Sequence, residues 1–431
     1  MAGAGIRVTV IGLNYSPETT GTAPYTTRLA HRLRERGHTV TVLTGYPHYP
    51  EWKIRRGYRG WRMSGVQEGI RVDRLRHFVP AAPTYATRML MEISFGVRLL
   101  FARWHRPDVV VFVNPALFAT AFGVLRSKFG RRVPNAVWVQ DLYSRGVAET
   151  ASGGKSLARP LARAESRLLN AADKVVAIHE SFRQYITGPL GVPEDRVAVI
   201  RNWTHLAPAP ATDRDALRRK LGWQPDDIIV LHAGNMGVKQ GLENVVEAAR
   251  GASGRKSKVR FILLGDGNQR EKLHALGAGI PNLGFLAPLP EVDFQPVLAA
   301  ADILLVNELP GVRGMSVPSK LTSYFSTGRP VIAATDADSV TASEVAASGG
   351  GVLVPAGEPE TLVTAAEQLG SDPERARRLG GAGLRFREQM LAEAQAIAAF
   401  EELLAELARE PAAPSSPGFG RHNQENSHVG S

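Results

Sequence analysis

The chain has 431 residues, a length that suits two domains of about 200 residues each better than one. Hydrophobic residues make up 44% and charged residues 22%, which is ordinary for a globular protein and excludes a disordered or fibrous chain. There is no cysteine, which excludes disulfides, thiolate metal sites, iron–sulfur clusters and cysteine nucleophiles. No run approaches the roughly 18 apolar residues that a spanning helix needs. The N-terminus passes directly into a strand pattern, so we expect no signal peptide and a cytoplasmic protein.

The excess positive charge is concentrated at the start of the chain. The whole sequence carries 52 Lys and Arg against 41 Asp and Glu, a net charge of +11. Residues 1–110 hold 17 of the basic and 7 of the acidic residues, a net charge of +10. Such a basic surface attracts a polyanion, which is either a nucleic acid or the anionic inner leaflet of a membrane.

The first half of the chain alternates short β-branched runs with helical patterns. Strands are predicted at Arg7–Gly12, Thr39–Thr44, Asp108–Val113, Asn135–Gln140, Lys174–Ile178 and Val197–Ile200. Helices are predicted at Thr22–Arg36, Thr87–Trp104, Pro115–Phe129 and Ser156–Asn170. The strands are continuous apolar runs, as expected of a parallel sheet that is covered on both faces.

The same alternation restarts after a proline-rich stretch at 207–210, which we interpret as a linker. Strands are predicted at Ile228–His232, Val259–Leu264, Ile303–Val306, Pro330–Ala334 and Gly351–Val354. Helices are predicted at Leu242–Arg250, Gln269–Leu276, Lys320–Thr327 and Thr341–Ala347, with a long final helix over about Arg385–Leu407. The residues after Pro411 are rich in Pro, Ser, Gly and Asn and are expected to form a disordered tail.

This pattern predicts two doubly wound α/β domains in tandem. We place the first domain at residues 1–206 and the second at 207–384, followed by a final helix at 385–409 and the tail at 410–431. Ligands of such sheets bind outside the carboxyl ends of the strands, so two sheets that face each other enclose a cleft.

The loop after the first predicted strand could hold an anion. Its glycines, Gly12 and Gly21, are nine residues apart, which is not the G-x-G-x-x-G dinucleotide fingerprint. Small residues at a helix N-terminus still offer free backbone N–H groups to an anion. Glu18 in this loop could receive a hydroxyl proton, or it could only cap the helix.

Two loops of the second half have the features of a phosphate site. The segment His232–Gly241 follows a strand and opens a helix, and Gly234 and Gly237 allow close approach of the backbone. Lys239 lies where an ammonium could meet a diphosphate at the positive end of the helix. The next strand ends in Gly265-Asp266-Gly267, a tight turn that lets a ring or a ribose approach.

A second lysine, Lys320, lies in the first turn of a helix that begins at Pro318 and Ser319. A lysine there opposes the helix dipole, which costs stability unless an anion lies between them; the alternative is a solvated lysine on an ordinary helix. Two lysines and two helix N-termini around one diphosphate would stabilise the charge of a departing nucleotide, so no metal is required. Two Asp-x-Asp sequences, at 213–215 and 336–338, are interpreted as helix-cap or loop carboxylates and not as metal ligands.

Taken in order, these segments resemble the family 4 retaining glycosyltransferases of the GT-B fold. Within that family the chain is most similar to the group that builds bacterial surface polysaccharides, including the colanic-acid-type fucosyltransferases, over about residues 6–408. The motifs that carry the resemblance are Tyr15-Ser-Pro-Glu-Thr-Thr-Gly, Arg36-Gly-His-Thr-Val-Thr-Val-Leu-Thr, Tyr46-Pro-His-Tyr-Pro-Glu-Trp, Trp138-Val-Gln-Asp-Leu-Tyr, Ala172-Asp-Lys-Val-Val-Ala-Ile, Arg201-Asn-Trp, Gly234-Asn-Met-Gly-Val-Lys-Gln-Gly, Gly265-Asp-Gly and Pro318-Ser-Lys-Leu.

The resemblance implies an acceptor-binding first domain, a nucleotide-sugar-binding second domain and a final helix that crosses back onto the first, with a hinge near 203–212. Lys239 matches the lysine that contacts the donor diphosphate, and Asn235 stands where many members have an arginine. Asp141 follows the strand whose end, in many members, carries an acceptor-side catalytic residue. The positions implied to bind the donor nucleotide are Gly21, Gly234, Asn235, Gly237, Lys239, Gly265, Asp266, Gly267, Pro318, Ser319 and Lys320.

The chain departs from the family pattern at one place. The typical pair of glutamates would fall at Met315 and Ser323, neither of which is acidic. The first of those glutamates normally touches the donor sugar. The polysaccharide-type group often has a Pro-Ser-Lys pattern in this region, so we do not interpret the change as loss of activity.

The helical pattern over residues 85–104 has two interpretations. It could lie in a membrane interface, or it could pack on the sheet with a charged outer stripe. Its charged residues fall in one sector of the helix, and they are Arg88, Glu92, Arg98 and Arg103. The preceding segment interleaves arginines with aromatic residues, as suits anionic headgroups: Trp52, Arg55, Arg56, Tyr58, Arg59, Trp61 and Arg62.

The sequence therefore predicts a cytoplasmic glycosyltransferase, peripherally associated with the inner face of the cell membrane. It would move a sugar, with retention and without a metal or cofactor, from a UDP- or GDP-sugar to a saccharide linked to polyprenyl diphosphate in exopolysaccharide, capsule or O-antigen biosynthesis. Lys239 and Lys320 would stabilise the departing diphosphate, and Asp141 and Glu18 would orient the acceptor. Two alternatives stay open: a nucleotide-sugar epimerase of the same architecture, and a nucleic-acid-binding protein that uses its basic first domain.

Overall fold

The computed structural model of the protein describes residues 5–19, 21–129, 131–145, 155–203, 213–312 and 320–409. Several predictions fall outside these residues: the linker at 207–210, the tail at 410–431, and the positions Met315, Pro318 and Ser319.

The first sheet contains eight of the described strands in the order β3-β4-β2-β1-β5-β6-β7-β8. The strands are β1 (Arg7–Gly12), β2 (Thr39–Gly45), β3 (Arg62–Gln67), β4 (Ile70–Leu75), β5 (Val109–Asn114), β6 (Asn135–Val139), β7 (Lys174–Ala177) and β8 (Val197–Val199). The helices between them are α1 (Ala23–Glu35), α2 (Tyr85–Phe101), α3 (Leu117–Lys128), α4 (Lys155–Ala171) and α5 (Glu180–Thr187), with a 3₁₀ turn at Glu194–Arg196. The central strands are buried along their whole length because helices cover both faces.

The second sheet contains six described strands in the order β11-β10-β9-β12-β13-β14, all parallel. They are β9 (Ile228–Ala233), β10 (Val259–Leu264), β11 (Leu283–Leu286), β12 (Ile303–Asn307), β13 (Val331–Ala334) and β14 (Gly351–Val354). The helices are α6 (Arg214–Lys220), α7 (Glu243–Gly254), α8 (Arg270–Leu276), α9 (Glu291–Ala300), α10 (Lys320–Phe325), α11 (Val340–Ser348), α12 (Pro359–Gly370), α13 (Pro373–Met390) and α14 (Glu393–Arg409), with a 3₁₀ turn at Val238–Gln240. The prediction of two doubly wound α/β domains is confirmed.

The hairpin of β3 and β4 at the edge of the first sheet was not predicted. β3 pairs antiparallel with β4, while β4 pairs parallel with β2. Every residue of β3 is exposed. An edge strand with two solvated faces needs no apolar run. The basic stretch that forms β3 therefore lacks the apolar pattern from which a strand is predicted.

The prediction of one long final helix from Arg385 is wrong. Helix α13 runs from Pro373 to Met390, the chain bends at buried Leu391, and α14 begins at Glu393. α14 packs on the core of the first domain, as the GT-B resemblance implies. The stripe that it buries there has helical spacing and consists of Ala396, Ile397, Phe400, Leu403, Leu404 and Leu407.

The charged residues of helix α2 do not form a single solvated sector. Glu92 is buried, whereas Arg88 lies over the ring of Trp52 and Arg98 over the ring of Trp61. Besides Arg88, α2 exposes large apolar side chains to solvent: Leu90, Val97 and Phe101 are 52%, 40% and 85% exposed. None of the described helices is both long enough and apolar enough to cross a membrane.

Candidate functional site

The carboxyl ends of β1, β5 and β6 border a cavity of about 600 Å³, which we call the acceptor cavity after the acceptor-binding role that the resemblance implies for the first domain. One residue of the second domain, Lys239, also lines it. Rings supply much of the wall, from His48, Tyr49, Trp52, Tyr85 and Tyr143. The remaining charged lining residues are Arg88, Glu92 and Asp141. The cavity therefore lies where the two domains meet, with aromatic walls and a few charged groups.

Asp141 brings a carboxylate to this cavity. It follows β6, whose buried residues fix where the loop begins, and it is partly buried. Burial raises its pKa to about 6, while the nearby ammonium of Lys239 acts in the opposite direction. The structure thus brings together two residues of the predicted catalytic set that lie almost 100 positions apart in the sequence.

Lys239 lies in the 3₁₀ turn between β9 and α7, and backbone contacts hold that turn in place. The backbone N–H of Leu309 donates to the carbonyl of Lys239 at 2.8 Å, and the side-chain amide of Asn307 donates to the carbonyls of Gln240 and Gly241 at 2.8 and 3.0 Å. Gly241 has a φ of +52°, and a Cβ there would lie 3.0 Å from the Cα of Leu309. The exposed side chain of Lys239 therefore extends from a fixed backbone.

Lys320 is the first residue of α10 and lies at the carboxyl end of β9. Its Nζ is 3.3 Å from Nε2 of His232, and a Cβ at Gly234 would lie 3.6 Å from it. Burial lowers the pKa of Lys320 to about 8, with Glu308 acting in the opposite direction. Burial, followed by the charge of Lys320, also holds the pKa of His232 well below its usual range, so the imidazole is neutral. A partly desolvated ammonium at this edge of the sheet favours an anionic ligand.

Comparison with known proteins gives the family. Residues 20–203 match the family described as "Glycosyl transferase 4-like domain", and residues 213–385 match the family described as "Glycosyl transferases group 1". The putative colanic acid biosynthesis glycosyl transferase WcaI of Escherichia coli is 33% identical over 340 residues, which is 75% of this chain and 82% of that protein. The chain belongs to glycosyltransferase family 4.

Other similar proteins agree with this assignment. The probable glycosyltransferase WbjE of Pseudomonas aeruginosa is 28% identical over 291 residues, covering 65% of this chain and 70% of that protein. Among solved structures, Anabaena HepE in complex with UDP superposes with a TM-score of 0.69 at 17% identity, over 92% of this chain and 100% of that chain. WaaG, a glycosyltransferase involved in lipopolysaccharide biosynthesis, superposes with a TM-score of 0.64 at 15% identity, over 94% of this chain and 100% of that chain. These structures show that the enzyme has the GT-B fold.

The structure gives a packing reason for the glycines of the loop after β10, which the sequence did not reveal. Gly265 and Gly267 have φ values of +137° and +156°. A Cβ on Gly265 would lie 2.0 Å from the carbonyl oxygen of Gly234, and one on Gly267 would lie 2.5 Å from that of Met236. The backbone N–H of Met236 also donates to the carbonyl of Asp266 at 2.8 Å. These glycines let the loops after β9 and β10 pack against each other, whether or not a ligand also approaches them.

Two further predicted donor residues, Asn235 and Gly237, belong to the same loop. A Cβ on Gly237 would lie 2.8 Å from Nδ2 of Asn235 and 2.9 Å from Oε1 of Gln240. The side-chain amide of the exposed Asn235 therefore lies close to Gly237. Asp266 accepts a hydrogen bond from the N–H of Gly267 at 2.8 Å and so closes its own turn.

Glu18 is buried and does not present a free carboxylate to the acceptor cavity, contrary to the catalytic role expected for it. One of its oxygens accepts from the backbone N–H groups of His48 and Tyr49 at 2.7 and 2.8 Å, and the other accepts from the Asn14 amide at 2.9 Å. With both oxygens occupied, Glu18 joins the loop after β1 to the loop after β2. Gly21, with a φ of +64°, lines the cavity next to the Tyr49 ring. Glu18 is a positioning residue.

The most notable residue that the sequence interpretation missed is Glu92. Its carboxylate accepts from the backbone N–H of Phe118 at 3.0 Å and from the hydroxyl of Tyr143 at 3.3 Å. Burial raises its pKa to about 7, and those hydrogen bonds act in the opposite direction. The signal in the sequence was an acid within an otherwise apolar stretch, but its alignment with three arginines on the helical wheel, Arg88, Arg98 and Arg103, suggested a charged outer stripe.

The loop that carries Asp141 and Tyr143 is fixed by a second buried acid. Glu165 of α4 accepts from the backbone N–H groups of Tyr143 and Ser144 at 2.8 and 3.2 Å, and from the Ser144 hydroxyl at 2.5 Å. Burial raises the pKa of Glu165, and these hydrogen bonds act in the opposite direction. The loop after β6 is thereby held between two carboxyl groups.

The first aspartate of each Asp-x-Asp sequence accepts hydrogen bonds from backbone N–H groups. Asp213 caps α6, with one oxygen accepting from the N–H groups of Asp215 and Ala216 at 3.0 Å each. Asp336 accepts from the N–H of Gly311 at 3.0 Å. No group of three or more His, Asp and Glu side chains that could hold a metal ion occurs within the described ranges. Ser323, at the second position of the family's glutamate pair, is buried in α10.

Proposed function

We propose that this glycosyltransferase moves a sugar from a nucleotide diphosphate donor to a lipid-linked saccharide, with retention at the anomeric carbon. The observation that carries the proposal is the acceptor cavity, where Asp141 of the first domain and Lys239 of the second face the same space. An acceptor held by one domain and a donor held by the other meet there.

The donor is bound by the loops at the carboxyl end of the second sheet. Lys239 and Lys320 supply two ammonium groups, and Gly234 keeps the backbone open beside Lys320. As the bond between the anomeric carbon and the diphosphate oxygen breaks, these charges stabilise the departing diphosphate without a metal. UDP and UDP-glucose are bound by HepE, which shares the fold, so a UDP- or GDP-sugar is the donor class that we propose.

The acceptor is bound by the aromatic wall of the acceptor cavity. Sugar rings stack on aromatic faces through their C–H groups, and Tyr49, Trp52 and Tyr85 offer such faces. Asp141 orients the attacking hydroxyl, whose proton passes to the departing diphosphate as the new bond to the anomeric carbon forms. The similarity to WcaI, a putative colanic acid biosynthesis glycosyl transferase, supports a role in bacterial exopolysaccharide, capsule or O-antigen biosynthesis.

Contact with a membrane follows from the outer surface of α2 and α3. The two helices cross where Gly96 of α2 meets the ring of Phe122 of α3. Beside that crossing the helices expose Phe101, Leu125 and Phe129, at 85%, 51% and 69%. An exposed apolar patch flanked by arginines suits peripheral association with the anionic inner face of a membrane.

The thermal stability of the enzyme with a panel of ligands tests the proposal. The panel contains UDP, GDP, ADP, dTDP, their sugars and NAD, and a ligand that binds only the native state raises the Tm by mass action. We expect one nucleotide diphosphate and its sugar to raise the Tm, and the same ligands to have a smaller effect on Lys239→Ala.

Other outcomes favour the alternatives. A flat response to every nucleotide, together with stabilisation by single-stranded RNA, would contradict the proposal and support a nucleic-acid-binding protein. Conversion of the nucleotide sugar to an isomer without added acceptor would support an epimerase. Transfer to a lipid-linked saccharide, with retention determined by NMR of the product, is the result that we expect.

A further inference from the structure

A second cavity, of about 800 Å³, lies at the opposite edge of the first sheet from the acceptor cavity. It is lined by residues at the end of α2, the end of α3 and the turn before β5. Four of its lining residues are arginines, and we call it the arginine pocket: Arg103, Arg106, Arg126 and Arg131. Neither the predicted site nor the proposed transfer reaction uses it.

The charge of the arginine pocket is not neutralised by ion pairs with described acidic residues. Asp108 lies two residues after Arg106 in the sequence. It is engaged by Arg7, whose guanidinium donates to it at 2.6 Å. The charge of Arg131 also lowers the pKa of Asp108, after the larger contribution of Arg7. One acid shared with Arg7 leaves a strong excess of positive charge around the pocket.

Arg126 is the most enclosed of the four. Its guanidinium lies 4.6 Å from the centre of the Trp104 ring and donates to the carbonyl of Leu99. Burial lowers its pKa. A cation held in this way lacks part of its hydration, and a bound anion would restore the lost stabilisation.

The turn that carries Arg106 is also held in an unusual backbone conformation. His105 and Arg106 have φ values of +55° and +52°, a region that side chains with a Cβ rarely adopt, and they do so in succession. His105 is fixed by its contact with the buried Asp73, at 2.7 Å. Such strain persists only where the surroundings enforce it, and it is common at ligand sites.

Apolar side chains adjoin the pocket. Phe129 lines it, and Phe101, two residues before Arg103, is 85% exposed, more than any other large hydrophobic side chain among the described residues of the first domain. A free phosphate would satisfy the arginines only. An anion attached to hydrocarbon chains would satisfy the arginines and the phenylalanines together.

We propose that the arginine pocket binds the phosphate headgroup of an anionic phospholipid while Phe101 and Phe129 enter the membrane boundary. The proposal rests on the membrane contact within the proposed function. α2 links this pocket to the acceptor cavity, because Tyr85 at its start lines that cavity and its 17 residues span about 25 Å. A headgroup in the arginine pocket would therefore hold α2 along the membrane, so that a lipid-linked saccharide reaches the acceptor cavity from the bilayer.

Vesicle flotation with the full-length enzyme tests the proposal. The probes are vesicles of phosphatidylcholine alone and of phosphatidylcholine with phosphatidylglycerol. We expect binding to the anionic vesicles only, and a loss of about tenfold or more in the double variant Arg103→Glu/Arg106→Glu, since each basic residue near an anionic surface contributes to binding. The matched control is Arg377→Glu/Arg378→Glu, which makes the same change of charge at two exposed arginines of α13 and should bind as the wild type does.

Several results would overturn the proposal. Equal loss in both double variants would show a general effect of charge, and equal binding of both vesicle types would show that the apolar face acts alone. A Tm increase with glycerol phosphate or inorganic phosphate that depends on Arg103 and Arg106, without vesicle binding, would assign the pocket to a soluble phosphate. The Tm of each variant without ligand checks its folding.

Transfer to a short-chain, water-soluble acceptor separates this proposal from the proposed function. We expect Arg103→Glu/Arg106→Glu to keep the wild-type rate with that acceptor and to lose activity only with a lipid-linked acceptor in vesicles. Absence of transfer in the wild type, with vesicle binding retained, would contradict the proposed function and leave the arginine pocket assignment standing. A second variant, Phe101→Ser/Phe129→Ser, should weaken vesicle binding without changing the arginines.

Discussion

Asp141 and Lys239 show how a single residue acquires its chemistry from the other domain. Burial alone would raise the pKa of Asp141, and the charge of Lys239 limits that rise, leaving a value of about 6. The carboxylate is therefore ionised at neutral pH but close enough to its pKa to respond to its surroundings. Any change that removes the ammonium, or adds the negative charge of a diphosphate, should raise this pKa.

The variant Lys239→Ala should shift the acid limb of the pH–rate profile to higher pH, because Asp141 loses the cation that favours its ionised form. Turnover should fall by on the order of 10²-fold, since the role that we propose for this charge is to stabilise the departing diphosphate. The Tm should change little because Lys239 is exposed. Lys239→Arg, which keeps the charge, is the control and should leave the acid limb in place. Full activity with an unshifted profile would contradict both roles.

Glu92 should make stability fall as the pH rises. Its folded pKa of about 7 lies above the usual glutamate pKa of 4.5, so between these values the folded enzyme binds more protons than the unfolded chain. The group therefore destabilises the fold progressively from about pH 4.5 to 7 and fully above that, by on the order of 3 kcal/mol. Glu92→Gln should remove this decline. Denaturant unfolding of both proteins at pH 5 and pH 8 measures how the free energy of unfolding changes with pH. If the variant and the wild type differed by the same free energy at both pH values, this role of Glu92 would be disproved.

At the scale of elements, the loops after β9 and β10 depend on each other. They meet where Gly265 and Gly267 approach the carbonyl oxygens of Gly234 and Met236, at distances that exclude a Cβ on Gly265 or Gly267. Neighbouring parallel strands end at the same edge of the sheet, so loops that follow them must share the space there. The glycine motifs are thus as much a packing requirement of the second domain as a means of approaching a ligand.

Gly265→Ala should destabilise the second domain by roughly 2 kcal/mol or more, because the new Cβ would lie 2.0 Å from the carbonyl oxygen of Gly234 and the φ of +137° disfavours alanine. It should also weaken binding of the nucleotide, since the loops with Gly234 and Lys239 must shift. Gly254→Ala, at the end of α7 with open space around it, is the control and should be neutral or slightly stabilising. Thermal unfolding with and without UDP measures both effects, and similar Tm values for the two variants would rule the packing argument out.

At the scale of the whole molecule, one buried acid joins the two domains. Glu344 of α11 accepts from Nε2 of His179, which follows β7, at 2.7 Å, and it also pairs with Arg201. Burial acts to raise the pKa of Glu344, but His179 and Arg201 together leave it below the usual range. A second connection is α14, which returns to the first domain and packs Phe400 against Trp138 at 4.8 Å between ring centres.

Glu344→Ala should uncouple the domains, because it leaves the buried His179 and the half-buried Arg201 without their shared carboxylate. A depressed carboxyl pKa gives stability that is present above the unfolded value of about 4.5 and is lost as the pH falls through the folded value. Scanning calorimetry should therefore show a lower and broader transition for the variant at pH 7, with the difference shrinking towards pH 4. Glu388→Ala, at an exposed position of α13, should match the wild type. A single unchanged transition in Glu344→Ala would refute the coupling.

The sequence by itself determined the periodicity of the elements, the tandem α/β domains, the glycine and lysine loops and the resemblance to family 4. These features are local, since an apolar run of strand length or a glycine after a strand gives the same signal wherever the chain later packs. The tertiary structure alone decided that Glu92 faces inward and that both oxygens of Glu18 are engaged by the next loop. It also decided that α14 begins after a bend at Leu391 and that four arginines surround one pocket. Those outcomes depend on which distant residues become neighbours, and burial and charge at a position are set by those neighbours.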